Sequence, residues 1–321
     1  MPDTSELRVD PLSGRQVVIA PARGDRPGAP AAMLTDGDPD PQPCPFCEGA
    51  EALTPPETYA DRRPGLPADG PGWHVRVVPN RYPAFSGELG RQEVVVHTPR
   101  HVRSLAGLAP ADLHAVSRAW TARASAAAAA GFDYVHAFGN EGRAAGASLP
   151  HTHSQLLCLP SPPPAVTREE SHRSRSCAIC TAISASPDLV VDRHDGVVLL
   201  CPAASRVPFE LLAAPESCEP DAFGSDRLTA ALELVASAIR RLHRVVGSVA
   251  LNWWVHTGRL STPTGHWHVE LVPRTTAAAG LEVGAELYVN PLAPERAAAV
   301  LRDAGPGGPA GPDEIRPLHG P

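Results

Sequence analysis

The sequence contains no apolar run long enough to span a membrane, and its first residues lack the apolar stretch of a secretion signal. It also lacks an excess of basic residues, because 28 lysines and arginines stand against 35 acidic residues and give a net charge of −7. A basic surface for nucleic acid or anionic membrane is therefore not expected. We predict a cytoplasmic protein whose 321 residues form one large domain or two smaller ones.

The cysteines lack the pattern of a disulfide framework. There are seven, an odd number, and four of them form the Cys-x-x-Cys pairs Cys44–Cys47 and Cys177–Cys180. In a cytoplasmic protein such pairs indicate metal ligands, because two thiolates at this spacing can hold a tetrahedral ion from one tight turn. Redox pairs share the spacing, so a single pair is only moderately specific.

A polar motif stands at the centre of the chain, where residues 142–155 read GRAAGASLPHTHSQ and run into four apolar residues. This order predicts a strand with its polar beginning at a site and its end in the core. Because side chains alternate along a strand, His151, His153 and Gln155 would share one face. The glycines Gly142 and Gly146 leave room for a ligand to approach the backbone. We predict a ligand site; the alternative is two surface histidines in a loop.

The chain presents one order of features twice: a Cys-x-x-Cys pair, a lone His or Cys after a proline, a long helix, and a His-x-His pair heading a strand. The helices are predicted over about 110–130 and 226–246. This order predicts an internal duplication, with halves at residues 1–160 and 161–321 and about 15 disordered residues at the end. Between the halves we expect a linker at 160–164 and an exposed charged segment at 168–175.

Each half supplies four ligands suited to a closed tetrahedral zinc site. They are Cys44, Cys47, His101 and His151 in the first half, and Cys177, Cys180, Cys218 and His266 in the second. The alternative for either set is buried cysteines and core histidines with ordinary hydrogen bonds.

These motifs resemble those of the galactose-1-phosphate uridylyltransferase family, the transferase branch of the histidine-triad superfamily. The resemblance covers nearly the whole chain and is carried by five stretches, at residues 7–11, 21–27, 44–47, 78–83 and 140–155. It implies an α+β fold of two duplicated histidine-triad-like halves around an antiparallel sheet, and a homodimer. The family motif is His-Pro-His-x-Gln, in which Thr152 here replaces the proline.

The resemblance implies a nucleotidyltransferase whose nucleophile is His153 and whose first motif histidine, His151, is a zinc ligand. An imidazole can attack phosphorus and later leave, which splits the transfer into two displacements. Gln155, Ser148 and the amides of residues 142–147 would stabilise the charge on the phosphate oxygens. Substrate contacts are expected at Arg26, Asn80, Asn140, Gly142 and Gly146. Both zinc ions would be structural, because protein ligands fill all four positions.

The acceptor is left open by the segment at residues 280–291, which has neither the lysine nor the glutamine that helps the uridylyltransferases hold the hexose phosphate. Together with the second Cys-x-x-Cys pair, this segment looks closer to the ADP-glucose phosphorylase subgroup. The substrates would be a nucleotide sugar and either a sugar 1-phosphate or orthophosphate. A nucleotide hydrolase of the histidine-triad type and a zinc-organised binding module without catalysis are the alternatives.

Overall fold

Two β-sheets and six α-helices make up the described part of the chain in a computed structural model, which describes residues 6–20, 43–172 and 177–307. The strands are β1 (Glu6–Val9), β2 (Gln16–Ile19), β3 (Tyr59–Arg62), β4 (Trp73–Pro79), β5 (Arg91–Val96), β6 (Tyr134–Glu141), β7 (His153–Leu159), β8 (Val190–His194), β9 (Val197–Leu200), β10 (Leu211–Pro215), β11 (Leu251–His256), β12 (His268–Pro273) and β13 (Leu287–Asn290). The helices are α1 (Pro110–Ala129), α2 (Pro164–His172), α3 (Ala178–Ala185), α4 (Leu228–Val246), α5 (Gly280–Ala285) and α6 (Pro294–Ala304). Short 3₁₀ helices lie at Glu51–Leu53, Gly87–Leu89, Leu105–Gly107, Arg143–Ala145 and Pro187–Leu189.

The larger sheet shows the duplication directly. Its ten strands lie in the order β3-β4-β5-β7-β6-β11-β12-β10-β9-β8, and every neighbouring pair is antiparallel. From either edge inward, the two groups of five strands follow the same order along the chain, and they meet where β6 pairs with β11. This confirms the predicted α+β fold of two duplicated halves around one antiparallel sheet. In the smaller sheet β2 pairs antiparallel with β1 and parallel with β13.

One face of the large sheet is covered by helices. The predicted long helices are α1 and α4, and each ends at a glycine with positive φ, Gly131 at 88° and Gly247 at 76°, where a side chain would be strained. Apolar residues of both helices pack on alternate sheet positions around the fully buried Trp120 and Trp253. The opposite face carries His153 and Gln155, so these candidate site residues and the main core lie on different sides of the sheet.

The connection between the halves differs from the prediction. Residues Pro164–His172 form α2, and the side chain of Glu169 is only 12% exposed because it contacts His256 on β11. Proline fits the first turn of a helix, so the proline run precedes a helix here. Strand β7 begins at His153, and His151 lies before it, so these two histidines do not share a strand face. Arg26 and the last 14 residues lie outside the described residues.

Among the described residues, no helix has both the length and the apolar character that crossing a membrane requires.

Candidate active site and metal centres

His153 stands at the start of β7 with one ring nitrogen fixed. Its Nδ1 donates to the backbone carbonyl of His151 over 2.8 Å. A carbonyl can only accept, so Nδ1 carries the proton and Nε2 holds the lone pair in the neutral ring. Burial lowers the pKa of His153, which favours that neutral form. The ring of Phe46 lies edge-on at 5.2 Å between centroids. The motif therefore places an oriented, neutral imidazole at this position, with Nε2 carrying the lone pair.

Gln155 follows on the same strand face and is held by two side-chain amides. Its Oε1 accepts from Gln92 Nε2 at 2.6 Å and from Asn80 Nδ2 at 3.3 Å. With the oxygen engaged, the amide nitrogen of Gln155 is the group presented to a ligand. The structure thus brings Asn80, expected near the substrate, next to Gln155, and it adds Gln92, which sequence reasoning missed.

The glycine-rich segment before the histidines forms a tight loop. Gly142 and Gly146 have φ of 83° and 90°, a region that side chains rarely occupy, with the 3₁₀ helix Arg143–Ala145 between them. Asn140 lies just before this loop at the end of β6, and Ser148 lies exposed just after it. The amides of Ala145, Gly146 and Ala147, predicted as phosphate donors, already donate to loop carbonyls at 3.0, 2.9 and 3.2 Å. The hydroxyl of Ser148 and the side-chain amide of Asn140 are the groups here that suit phosphate oxygens.

The first group of cysteines and histidines comes together around His151, two residues before His153. Cys44 Sγ lies 3.6 Å and Cys47 Sγ 3.7 Å from His151 Nδ1, and Cys47 Sγ lies 3.3 Å from His101 Nδ1. His151 Nε2 donates to the carbonyl of Thr98 at 2.9 Å, so the lone pair of His151 faces the thiols. All four ligand atoms lie within 4.8 Å of one another and could hold a metal ion.

The second group repeats this geometry. Cys177 Sγ lies 3.1 Å and Cys180 Sγ 3.5 Å from His266 Nδ1, and His266 Nε2 donates to the carbonyl of Pro215 at 2.9 Å. Cys218 completes a set whose ligand atoms again lie within 4.8 Å of one another. The ring orientation that keeps the His151 lone pair on the thiols is therefore reproduced in the second half.

A third group was missed from the sequence. Glu169, His256, His268 and Glu270 also place their ligand atoms within 4.8 Å of one another, and His256 Nδ1 lies 2.8 Å from Glu169 Oε1. A cleft of about 280 Å³ lies beside this group and is lined by Glu169, His256 and residues of the second cysteine group. The available signal was the correspondence of His-x-His-x-Glu in β12 with His-x-His-x-Gln in β7.

Comparison with known proteins supports the resemblance deduced from the motifs. The family model for the N-terminal domain of galactose-1-phosphate uridyl transferase matches residues 76–163. The chain is 29% identical to ADP-glucose phosphorylase of Arabidopsis thaliana over 93% of this chain and 92% of the relative. It is 26% identical to galactose-1-phosphate uridylyltransferase of Thermotoga maritima over 93% of this chain and 98% of the relative.

A solved structure extends this similarity to the fold. The crystal structure of an ADP-glucose phosphorylase from Arabidopsis thaliana with bound ADP-glucose matches with a TM-score of 0.81 at 29% identity. The match covers 94% of this chain and 98% of the other. The resemblance predicted from the sequence is thereby confirmed, including its closeness to the ADP-glucose phosphorylase subgroup.

Proposed function

We propose that the chain, which is similar to galactose-1-phosphate uridylyltransferases and ADP-glucose phosphorylase, is a nucleotidyltransferase that works through His153. It moves a nucleoside monophosphate group from a nucleotide sugar to a sugar 1-phosphate through a covalent nucleotidyl-histidine. The observation that carries the proposal is the hydrogen bond from His153 Nδ1 to the His151 carbonyl, which leaves Nε2 as the nucleophile.

The reaction proceeds in two displacements. Nε2 of His153 attacks the α-phosphorus, a P–N bond forms, and the bond to the bridging oxygen breaks to release sugar 1-phosphate. A phosphate oxygen of the acceptor then attacks the same phosphorus, the P–N bond breaks, and neutral His153 is restored. The side chains of Gln155, Ser148 and Asn140 donate to the phosphate oxygens, where negative charge grows in both transition states.

Orthophosphate is the second candidate acceptor. The relative named ADP-glucose phosphorylase supports this role, and the segment at 280–291 lacks the lysine and glutamine expected for hexose phosphate. The chemistry at His153 is unchanged, because only the group attacking the nucleotidyl-histidine differs. A histidine-triad hydrolase, in which water attacks instead, is the remaining enzymatic alternative.

Zinc fits both cysteine groups, and we assign one structural zinc ion to each. In a tetrahedral site with Zn–S of about 2.3 Å and Zn–N of about 2.1 Å, sulfur and nitrogen lie roughly 3.6 Å apart. The Sγ–Nδ1 distances of 3.1–3.7 Å agree with this value. Bound zinc would fix the ends of the segments that carry His151 and His266 and add its binding free energy to folding.

Elemental analysis should find about two zinc ions per chain after purification without chelators. Protein free of zinc would remove both assignments.

The family resemblance also supports a cytoplasmic homodimer. Light scattering coupled to size exclusion should give twice the chain mass of 33.7 kDa. A mass of one chain at micromolar concentration would contradict the dimer and leave the chemistry at His153 unaffected.

Mass spectrometry tests the proposed chemistry. The protein is incubated with a panel of nucleotide sugars without acceptor, and peptide mapping should locate a nucleoside monophosphate on His153. Addition of sugar 1-phosphate or orthophosphate should then discharge the adduct, and the faster acceptor identifies the reaction. Turnover without any label on His153 would show the nucleophile to be another group.

A further inference from the structure

Two second-half residues reach the first-half site across the junction between β6 and β11. In the β6–β7 ladder Phe138 lies opposite Gln155, so Asn140 lies opposite His153 two residues further on. In the β6–β11 ladder Asn252 lies opposite Asn140. Residues opposite each other on neighbouring strands point to the same face. His153, Asn140 and Asn252 therefore form one row across the sheet, with Asn252 about 10 Å from His153 at a strand spacing of about 4.8 Å.

The orientation of the Asn252 amide follows from its partners. Arg274 Nε, which can only donate, contacts Asn252 Oδ1 at 2.6 Å. Asn252 Nδ2 donates to the carbonyl of Ala145, which can only accept, at 2.8 Å. The same Nδ2 donates to Asn140 Oδ1 at 2.7 Å. Asn140 therefore turns its own Nδ2 towards the loop, where it lies 3.8 Å from the position that a Cβ would occupy at Gly146.

Arg274 is a cation without a counter-charge. It is exposed, and within residues 6–20, 43–172 and 177–307 no carboxylate lies at ion-pair distance from it. By contrast, Arg206 in the same half contacts both Glu210 and Glu270. Because Nε of Arg274 is held by Asn252, its two Nη nitrogens remain as a fork of donors beside the glycine loop. Such a fork suits two oxygens of one phosphate.

We propose that Arg274 binds the second phosphate of the nucleotide sugar. In the second displacement the phosphate of the acceptor takes the same position, so Arg274 binds that group as well. This inference rests on the proposed function. The α-phosphorus must come within about 3.5 Å of His153 Nε2. Gln155 on β7 and Asn140 on β6 serve that phosphate, whereas Arg274 directly follows β12, three strands from β7. Its cation lies where the sugar phosphate leaves and where sugar 1-phosphate or orthophosphate enters.

Asn252 is a positioning residue in this arrangement. Asn252 touches no reacting atom. Its side-chain amide hydrogen-bonds to Arg274, to Asn140 and to the carbonyl of Ala145, and so fixes their positions relative to one another. The second half thus supplies the cation, Arg274, for a site whose histidine, His153, belongs to the first half. Acceptor affinity would consequently depend on how the two halves pair along β6 and β11.

The test uses the full chain and follows discharge of the His153 adduct. Once the adduct has formed, sugar 1-phosphate, orthophosphate or water alone is offered, and the adduct is measured by intact mass. Arg274→Met should raise the acceptor concentration for half-maximal discharge about 10- to 100-fold, the size of a lost charge-assisted pair. Discharge by water should be unchanged, because water carries no phosphate. Arg274→Lys should restore part of the affinity, and Asn252→Ala should weaken acceptor use while Arg274 is still present.

The control is Arg296→Met, which removes an exposed arginine from α6 and should leave both discharge rates at the wild-type level. Equal loss of phosphate and water discharge in Arg274→Met would show a merely structural role and overturn the inference. Unchanged acceptor affinity would overturn it as well, with the chemistry at His153 intact. Absence of any adduct in the wild type would instead defeat the proposed function and this inference together.

Discussion

Each half places a His-x-His pair at the start of the corresponding strand, but the side chains around the pair differ in charge between the two halves. Nδ1 of His153 donates to the carbonyl of His151, and Nδ1 of His268 likewise donates to that of His266, at 3.1 Å. The residue two further along is Gln155 in the first half and Glu270 in the second. One backbone arrangement therefore serves two different chemical environments.

The environment changes the protonation of the second histidine. Burial lowers the pKa of His153, and no carboxylate in the described part of the chain offsets the effect. Burial also opposes the charge on His268, but Glu270 and Glu169 outweigh it and raise the pKa of His268 to about 9. A neutral imidazole can attack phosphorus and a protonated one cannot. Duplication thus yielded one half suited to nucleophilic chemistry and one that holds an ion-pair cluster.

The largest expected effect separates the two histidines. His153→Ala should reduce transfer by more than about 10⁴-fold with zinc content near normal, because it removes the proposed nucleophile and none of the proposed metal ligands. His268→Ala should keep the His153 adduct and lose about 3 kcal/mol of unfolding free energy, because it breaks a buried charged cluster. Adduct mass and urea unfolding measure the two effects. Comparable transfer in both variants would erase the distinction between the halves.

Exchanging the neighbouring residues tests the comparison from the other side. Gln155→Glu should slow transfer by about 10²- to 10³-fold, because a carboxylate replaces a donor facing phosphate. Glu270→Gln should leave adduct formation within about threefold and lower stability, because Arg206 loses one of its buried carboxylates. Stopped-time adduct assays and thermal unfolding provide the measurements. Wild-type transfer in Gln155→Glu would argue against a phosphate contact at that position.

The metal groups should differ less sharply. Cys44→Ser and Cys177→Ser should each remove one zinc ion per chain, as counted by elemental analysis. Cys44→Ser should also slow transfer about tenfold. Cys44 and His151 belong to the same metal group, and the backbone carbonyl of His151 orients His153. Cys177→Ser should act mainly on thermal stability. If transfer falls equally in both variants, the first group has no special link to His153.

Sequence patterns predicted those parts of the molecule that local spacing determines. The repeated order of a Cys-x-x-Cys pair, a long helix ending at a glycine and a His-x-His pair predicted two duplicated halves. Both predicted ligand sets lie close together in the structure. The start of β7 was predicted at His151, two residues early. The spacing of a His-x-His pair does not show whether its first histidine lies in the strand or in the loop before it. The assigned roles of Arg26, Ser148 and the other site residues stay predictions.

Contacts between residues far apart in the chain could not be predicted from sequence patterns. The neighbours of His268 include Glu169, from a segment expected to be exposed. Glu169 is buried because α2 folds back onto β11. The contact of Asn252 with Asn140 depends on the register of β6 against β11, between positions 112 residues apart. Such a register follows from the packing of both halves and not from any motif in either.

The pairing of β6 with β11 also bears on how the chain is made. The first half leaves the ribosome first, and until the second half follows, β6 is an edge strand with unpaired amides and carbonyls. Such an edge invites a strand from another molecule, including the same β6 of a second nascent chain. Folding of this protein therefore includes an interval of vulnerability to aggregation, which closes when β11 reaches β6. A fragment ending near residue 160 would keep that edge open throughout its lifetime.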